Sequence, residues 1–236
     1  RANVRLGWWW DTKISAANRR HLPKLGLISR FLYLIPRLFM TQSLLLMEWV
    51  ARFPGPWSRC WFLSDGGFFE VLGAYELIRR RLPRIIVCDG SADPKYRQGS
   101  LGILKRTVRR DFRAEINEID PNDKRISAQV RPFIGKLEEL NSKSKNGTDR
   151  KHAALFEVTY LDSDAKSLLL YFKATVTGDE TADVSSYYAD RSDFPQESTG
   201  DQFFEEDQWE SYRKLGEHLA TPLFRDDAKW FWNFKL

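Results

Sequence analysis

Residues 57–93 constrain the fold of this chain more than any other stretch. Arg59-Cys60-Trp61-Phe62-Leu63 is short, apolar and aromatic, which predicts a buried strand. Ser64-Asp65-Gly66-Gly67 then turns the chain. Beyond it Phe68, Val71, Leu72, Tyr75 and Ile78 fall on one face at helical spacing. Arg79, Arg80 and Arg81 crowd the end of that helix, where the dipole favours cations, and Pro83 stops it. Arg84-Ile85-Ile86-Val87-Cys88 predicts a second buried strand, ending at Asp89-Gly90. Strand, turn, helix and strand make one βαβ unit, whose two strands should run parallel and end on one rim.

Ligands of α/β folds bind at that rim. Asp65 stands there, at the end of the first strand. Gly66 and Gly67 lack a Cβ, so the chain can bend sharply and another group can approach the carboxylate. The same tripeptide also makes an Asx turn that caps a helix, and on the residues alone that reading is the commoner one. Asp89 ends the neighbouring strand, where it either lines a site or holds the turn at Gly90.

The flanks extend the pattern. Residues 3–10 are apolar and aromatic and predict a strand; 11–22 are polar and predict a loop. From Leu27 to Phe53 the chain is strongly apolar, but Arg30, Pro36, Arg37, Gln42 and Glu48 interrupt it. A spanning helix needs about 20 mostly apolar residues, so two helices split near Pro36 fit better. They serve either as core helices or as a cap lying on a membrane surface, with Arg30 and Arg37 reaching head groups and Trp49 at the interface. Phe53-Pro54-Gly55-Pro56 is a joint, giving an N-terminal apolar helical segment over 1–56 and the main body over 57–236.

Further on, Ser100 is placed to cap a helix whose inner stripe is Leu101, Leu104, Val108 and Phe112. Residues 114–118 and 126–130 alternate as strands do. Residues 141–151 are a polar loop. Residues 155–160 and 167–176 predict an antiparallel hairpin turned at Asp162-Ser163-Asp164. A short helix near 185–189 precedes a long one capped near Asp201, with Trp209, Tyr212, Leu215 and Leu219 inward.

Leu63-Ser64-Asp65-Gly66-Gly67-Phe68-Phe69-Glu70-Val71-Leu72-Gly73-Ala74-Tyr75-Glu76-Leu77 resembles the aspartate-bearing segment of bacterial patatin-like phospholipases. The likeness continues through Ile85 to Asp89 and Ala92-Asp93-Pro94. It returns in Phe194 to Thr199, in Asp201 to Phe204, in Tyr212 to His218, and in the opening Asn3 to Trp9. It touches most of the chain; 11–56 and 121–151 match little. The resemblance implies lipid acyl hydrolysis by a Ser–Asp dyad, with Asp65 as general base and Gly66 and Gly67 forming the turn beside it. It implies part of a three-layer α/β/α fold, with a mixed, mainly parallel sheet and a C-terminal antiparallel hairpin. Phe68 and Val71 stand where the family carries His and Asn. They motivate an alternative: a catalytically inactive relative that binds lipid surfaces or a protein partner.

A dyad serine needs a sharp strand-to-helix elbow, G-x-S-x-G, with backbone N–H groups for the oxyanion. That motif is absent from the sequence. Gln98-Gly99-Ser100-Leu101-Gly102 comes nearest, but lacks the first glycine and follows a polar loop. The serine and the glycine run of the oxyanion hole are therefore expected upstream, on an N-terminal half missing from this fragment, which by itself should not turn over.

The histidines, His21, His152 and His218, are scattered and read as surface or core residues. The sequence holds no HExxH, EF-hand loop or Cys/His cluster, so no metal or other cofactor is expected. Residues 1–114 carry 21 Lys+Arg against 8 Asp+Glu, a net +13, and the remainder 16 against 24, a net −8. A basic front favours anionic surfaces; without a recognisable reading motif, phospholipid head groups fit better than nucleic acid. Cys60 and Cys88 sit in the two predicted strands, both expected to be buried, with no CxxC pairing. A reduced, cytoplasmic setting is expected, with 27–53 as the candidate contact to a membrane surface.

Overall fold

The computed structural model describes residues 7–12, 39–53, 58–140, 151–198, 200 and 203–236. Expectations for 3–6, for most of 11–22, for 27–38 with Arg30, Pro36 and Arg37, for 54–57, for 141–150, and for Asp201 lie outside these residues. The chain forms two compact units, Arg1–Phe69 and Glu70–Leu236.

The first unit holds a two-stranded antiparallel sheet of β1 (Gly7–Asp11) and β2 (Cys60–Ser64). Trp8 faces Leu63, Trp9 faces Phe62 and Trp10 faces Trp61 across the pair. Successive side chains alternate between faces. Trp9 and Phe62 therefore share one face, where their rings meet edge to face at 5.2 Å and Phe53 stacks on Phe62 at 4.9 Å. Arg59 clamps Asp11 at 2.7 Å across the strand ends. The helix α1 (Met40–Trp49) is apolar nearly all round and buries none of its residues. That does not fit core helices for this half of the 27–53 segment. Among the described residues no helix is long and apolar enough to cross a membrane.

The second unit is built on a mixed four-stranded sheet in the order β3-β6-β5-β4: β3 (Arg84–Asp89), β4 (Ala114–Glu118), β5 (Ala153–Tyr160) and β6 (Ser163–Lys173). Only β3–β6 is parallel; β6–β5 and β5–β4 are antiparallel. The sheet is thus mixed but not mainly parallel. The tight connection Leu161-Asp162 is the reason, since so short a link can only fold β6 back beside β5. β6 occupies the centre because Leu168, Leu169, Leu170 and Tyr171 are wholly buried, which needs cover on both faces. Each such side chain contributes about 1.5–3 kcal/mol by leaving water.

One face of the sheet packs against α2 (Tyr75–Arg79) and α3 (Gly99–Phe112): Ile78, Leu101, Leu104 and Val108 meet Ile85, Val87, Phe156 and Leu169. The other face meets the turns around Ile126 and Ile134 and the C-terminal Phe231 and Phe234. A third cluster joins α4 (Ala182–Asp190) to α5 (Glu206–Phe224) through Val184, Tyr187, Phe194, Leu215 and Leu219. α6 (Lys229–Trp232) closes the chain.

Several expectations are corrected. β2 and β3 are not parallel neighbours: β2 pairs with β1, and β3 with the more apolar β6. The helix expected from Phe68 shrinks to α2. Gly73 takes φ +67°, which breaks helical continuation, and the Glu70 carboxylate accepts the N–H groups of Leu72 and Tyr75. Residues 126–130 form turns, not a strand. Ile126 and Val130 are both buried at a spacing of four, and Val130 and Arg131 donate to the Ser127 carbonyl. Cys88 is exposed, since β3 ends the sheet and its Ile86–Cys88 face is open. Trp209 points outward at 62% exposure, because the inner stripe of α5 is Ser211, Leu215, Leu219 and Leu223.

Candidate functional site

Asp65 closes β2 and is exposed. Its backbone is extended, at φ −56° and ψ 131°, and the next three residues make a single 3₁₀ turn, Gly66–Phe68. The Asp65 carbonyl accepts Phe68 N–H at 3.2 Å, and its Oδ1 accepts Gly67 N–H at 2.8 Å. The carboxylate is thus folded over its own turn and held by one oxygen. Among the described residues no cation and no other side chain engages it. The two glycines differ in what they permit. A Cβ on Gly67 would stand 3.2 Å from Asp65 Oδ1, whereas one on Gly66 would meet nothing within 4 Å. Gly67 is the residue that lets the carboxylate lie down. Phe68, beside the turn, is 52% exposed.

Asp89 belongs to the second unit and is handled differently. The parallel register sets it beside Lys173. Its Oδ1 lies 3.4 Å from Lys173 Nζ and accepts Ser91 N–H at 2.9 Å and the Ser91 hydroxyl at 2.5 Å. Its Oδ2 accepts the Tyr171 hydroxyl at 2.5 Å. Lys173 Nζ also donates to the Ser91 carbonyl at 2.7 Å. Both oxygens of this buried carboxylate are engaged, so Asp89 holds the turn and the strand ends. Burial and the Asp89 charge push the Tyr171 phenol far above its ordinary pKa, so it stays protonated and donates. Its single proton is committed to Asp89, while the Gln98 amide sits 3.0 Å away with its nitrogen left orphaned. Exchanging the amide O and N lets Gln98 donate to the phenol oxygen, which is the arrangement the network requires.

Ser100 does not cap α3. Gln98 occupies that position at φ +56°, and the Ser100 hydroxyl, in the first turn, meets Ser91 Oγ at 3.0 Å. No strand feeds it, and the structure gives it no elbow.

A pocket of about 400 Å³ in the second unit collects residues that the sequence left apart, among them His152, Thr177, Asp179, Lys214, His218 and Arg225. His218 Nε2 stands 3.1 Å from Asp179 Oδ1, which also accepts the Thr177 hydroxyl at 2.6 Å. One ligand atom each from Asp179, Glu180 and His218 lies within 4.8 Å of the others, close enough to share a cation. Glu180, however, already accepts the N–H groups of Thr177 and Gly178. His152 is a core histidine, 2% exposed, with Nε2 2.7 Å from the Leu219 carbonyl. No local motif announces this group, because residues 179–180 and 218 come from a loop and a helix far apart in sequence.

No protein-family model matches the chain, and no characterised protein and no solved structure matches it either.

Proposed function

We propose that this chain supplies the general base of a Ser–Asp lipid acyl hydrolase of the patatin-like kind, with Asp65 as that base. One observation carries the reading. Asp65 is exposed at the end of a strand, with one carboxylate oxygen pinned by Gly67 N–H and the other open. A carboxylate so held has a fixed orientation and a free lone pair. A serine hydroxyl contributed from outside these 236 residues would reach that oxygen. Asp65 takes the hydroxyl proton as serine oxygen attacks the ester carbonyl carbon. The proton passes to the departing alkoxide when the tetrahedral adduct collapses, and water then cleaves the acyl-enzyme with Asp65 again as base. The resemblance at residues 63–77 supports the lipid-ester substrate and the three-layer fold; Asp89, buried and bonded through both oxygens, is no rival base.

The test is ester hydrolysis by the native full-length protein, before and after Asp65→Asn. The amide keeps the Gly67 contact but cannot take a proton. Turnover should fall by about 10³-fold or more, as when a paired base is removed. Unchanged turnover removes Asp65 from the mechanism.

A second reading rests on Phe68. An exposed phenyl ring stands where the family carries a polar residue, which suits a relative that binds lipid or protein without turnover. Vesicle binding together with no hydrolysis by the native full-length protein would favour it.

A further inference from the structure

The two-stranded sheet of the first unit presents an apolar face. Trp8 is 72% exposed, Trp10 57%, Leu63 47% and Trp61 37%, and the register sets Trp8 beside Leu63 and Trp10 beside Trp61. These four residues share one face, because side chains alternate along each strand and the opposite face is the Trp9–Phe62–Phe53 cluster. Together they form an exposed apolar face, and such a patch on a monomer usually has a use.

We infer that the Trp8–Trp10–Trp61–Leu63 face docks on an anionic phospholipid surface. Two observations select that occupant. Three of the four residues are tryptophans, whose amphipathic rings favour the boundary between hydrocarbon and head groups. The unit that bears them, residues 1–69, carries 10 Lys+Arg against 3 Asp+Glu, a net +7. That charge draws the unit to an anionic leaflet. The same net charge opposes the approach of a second copy of this unit. α1 adds exposed Leu45, Leu46 and Trp49 to the apolar surface of this unit. β2 runs directly into Asp65, so docking would bring the carboxylate to the layer where lipid esters lie. The inference deepens the lipid-directed reading of Asp65 and rests on it for purpose. Vesicle binding and ester hydrolysis are separate readouts, so either can fail alone.

The experiment is co-sedimentation of the full 236-residue chain with large vesicles. One set is phosphatidylcholine alone; the other contains about a third phosphatidylglycerol. The chain should bind the anionic vesicles at least about tenfold more tightly than the neutral ones, and salt should weaken that binding. Trp8→Ser with Trp10→Ser should lower it about tenfold or more. Trp209→Ser with Trp232→Ser, at 62% and 57% exposure in the other unit, should not change it. Brominated acyl chains provide a readout without substitution: they should quench the tryptophan fluorescence of the unaltered chain. Absence of binding to anionic vesicles, absence of quenching, or binding indifferent to the Trp8/Trp10 pair overturns the inference. So does a dimer in lipid-free solution that the same substitutions dissociate.

Discussion

Lys173 and Asp89 stand side by side on parallel strands, Nζ 3.4 Å from Oδ1, with both side chains all but sealed from water. Two charges so placed cost desolvation energy. What offsets it is the set of hydrogen bonds around them: Ser91 and Tyr171 on the carboxylate, the Ser91 carbonyl on the ammonium. The pair ties the ends of β3 and β6 to the loop that leads into α3.

Lys173→Met should therefore destabilise the second unit by about 3–5 kcal/mol, because it strands a buried carboxylate. Adding Asp89→Leu should recover a large part of that loss, since the cost lies in the unpaired charge. Denaturant unfolding of the two variants measures both numbers. If the double variant is no more stable than the single one, the pair contributes by shape and not by charge.

Tyr171 carries a pH consequence. Its folded-state pKa is raised, by burial and by Asp89, above the ordinary value near 10, so the folded state holds the proton more tightly than the unfolded state. The stabilisation is fully present below pH 10 and is lost as pH climbs beyond it. Tyr187, pushed up to about 12 by burial and by Glu197, adds in the same direction. Stability should decline from about pH 10 upward, and less steeply in Tyr171→Phe. Unfolding free energies from pH 8 to pH 12 check the slope.

The glycines beside Asp65 should not be equivalent. Gly67→Ala places a methyl 3.2 Å from the carboxylate oxygen, which must then move; Gly66→Ala meets open space. If Asp65 is the base, Gly67→Ala should lower kcat for ester hydrolysis by roughly 10–100-fold and Gly66→Ala by less than about threefold. Equal effects would mean that the Gly67 contact does not orient the base.

The C-terminal segment is structural. Phe231 is wholly buried and Phe234 nearly so, and the Arg84 guanidinium donates to the carbonyls of Phe231 at 3.0 Å and Phe234 at 2.5 Å. Phe231→Ala should cost about 3–5 kcal/mol by leaving a cavity. Arg84→Met should cost about 1 kcal/mol, since part-buried carbonyls lose their donor. Thermal unfolding of each variant tests the ranking.

Much of this was legible in the residues themselves. The stripe Leu101, Leu104 and Val108 buried as its spacing requires, the β5–β6 hairpin turned near its Asp-Ser-Asp segment, and Asp65 caps its own turn through Gly67. These are local matters: a period, a short link or an i to i+2 hydrogen bond is decided by neighbours in sequence. Which strand lies beside which was not local. β3 found β6 because the most apolar strand takes the centre of the sheet, and that competition involves residues 84 positions apart. The Asp89–Lys173 pair exists only through that strand pairing, and the His218–Asp179 contact only where α5 meets the loop after β6. The chemistry of a lone side chain can be read from its type; its partner is chosen by the packing of the whole unit, where burying apolar surface outweighs any single polar contact.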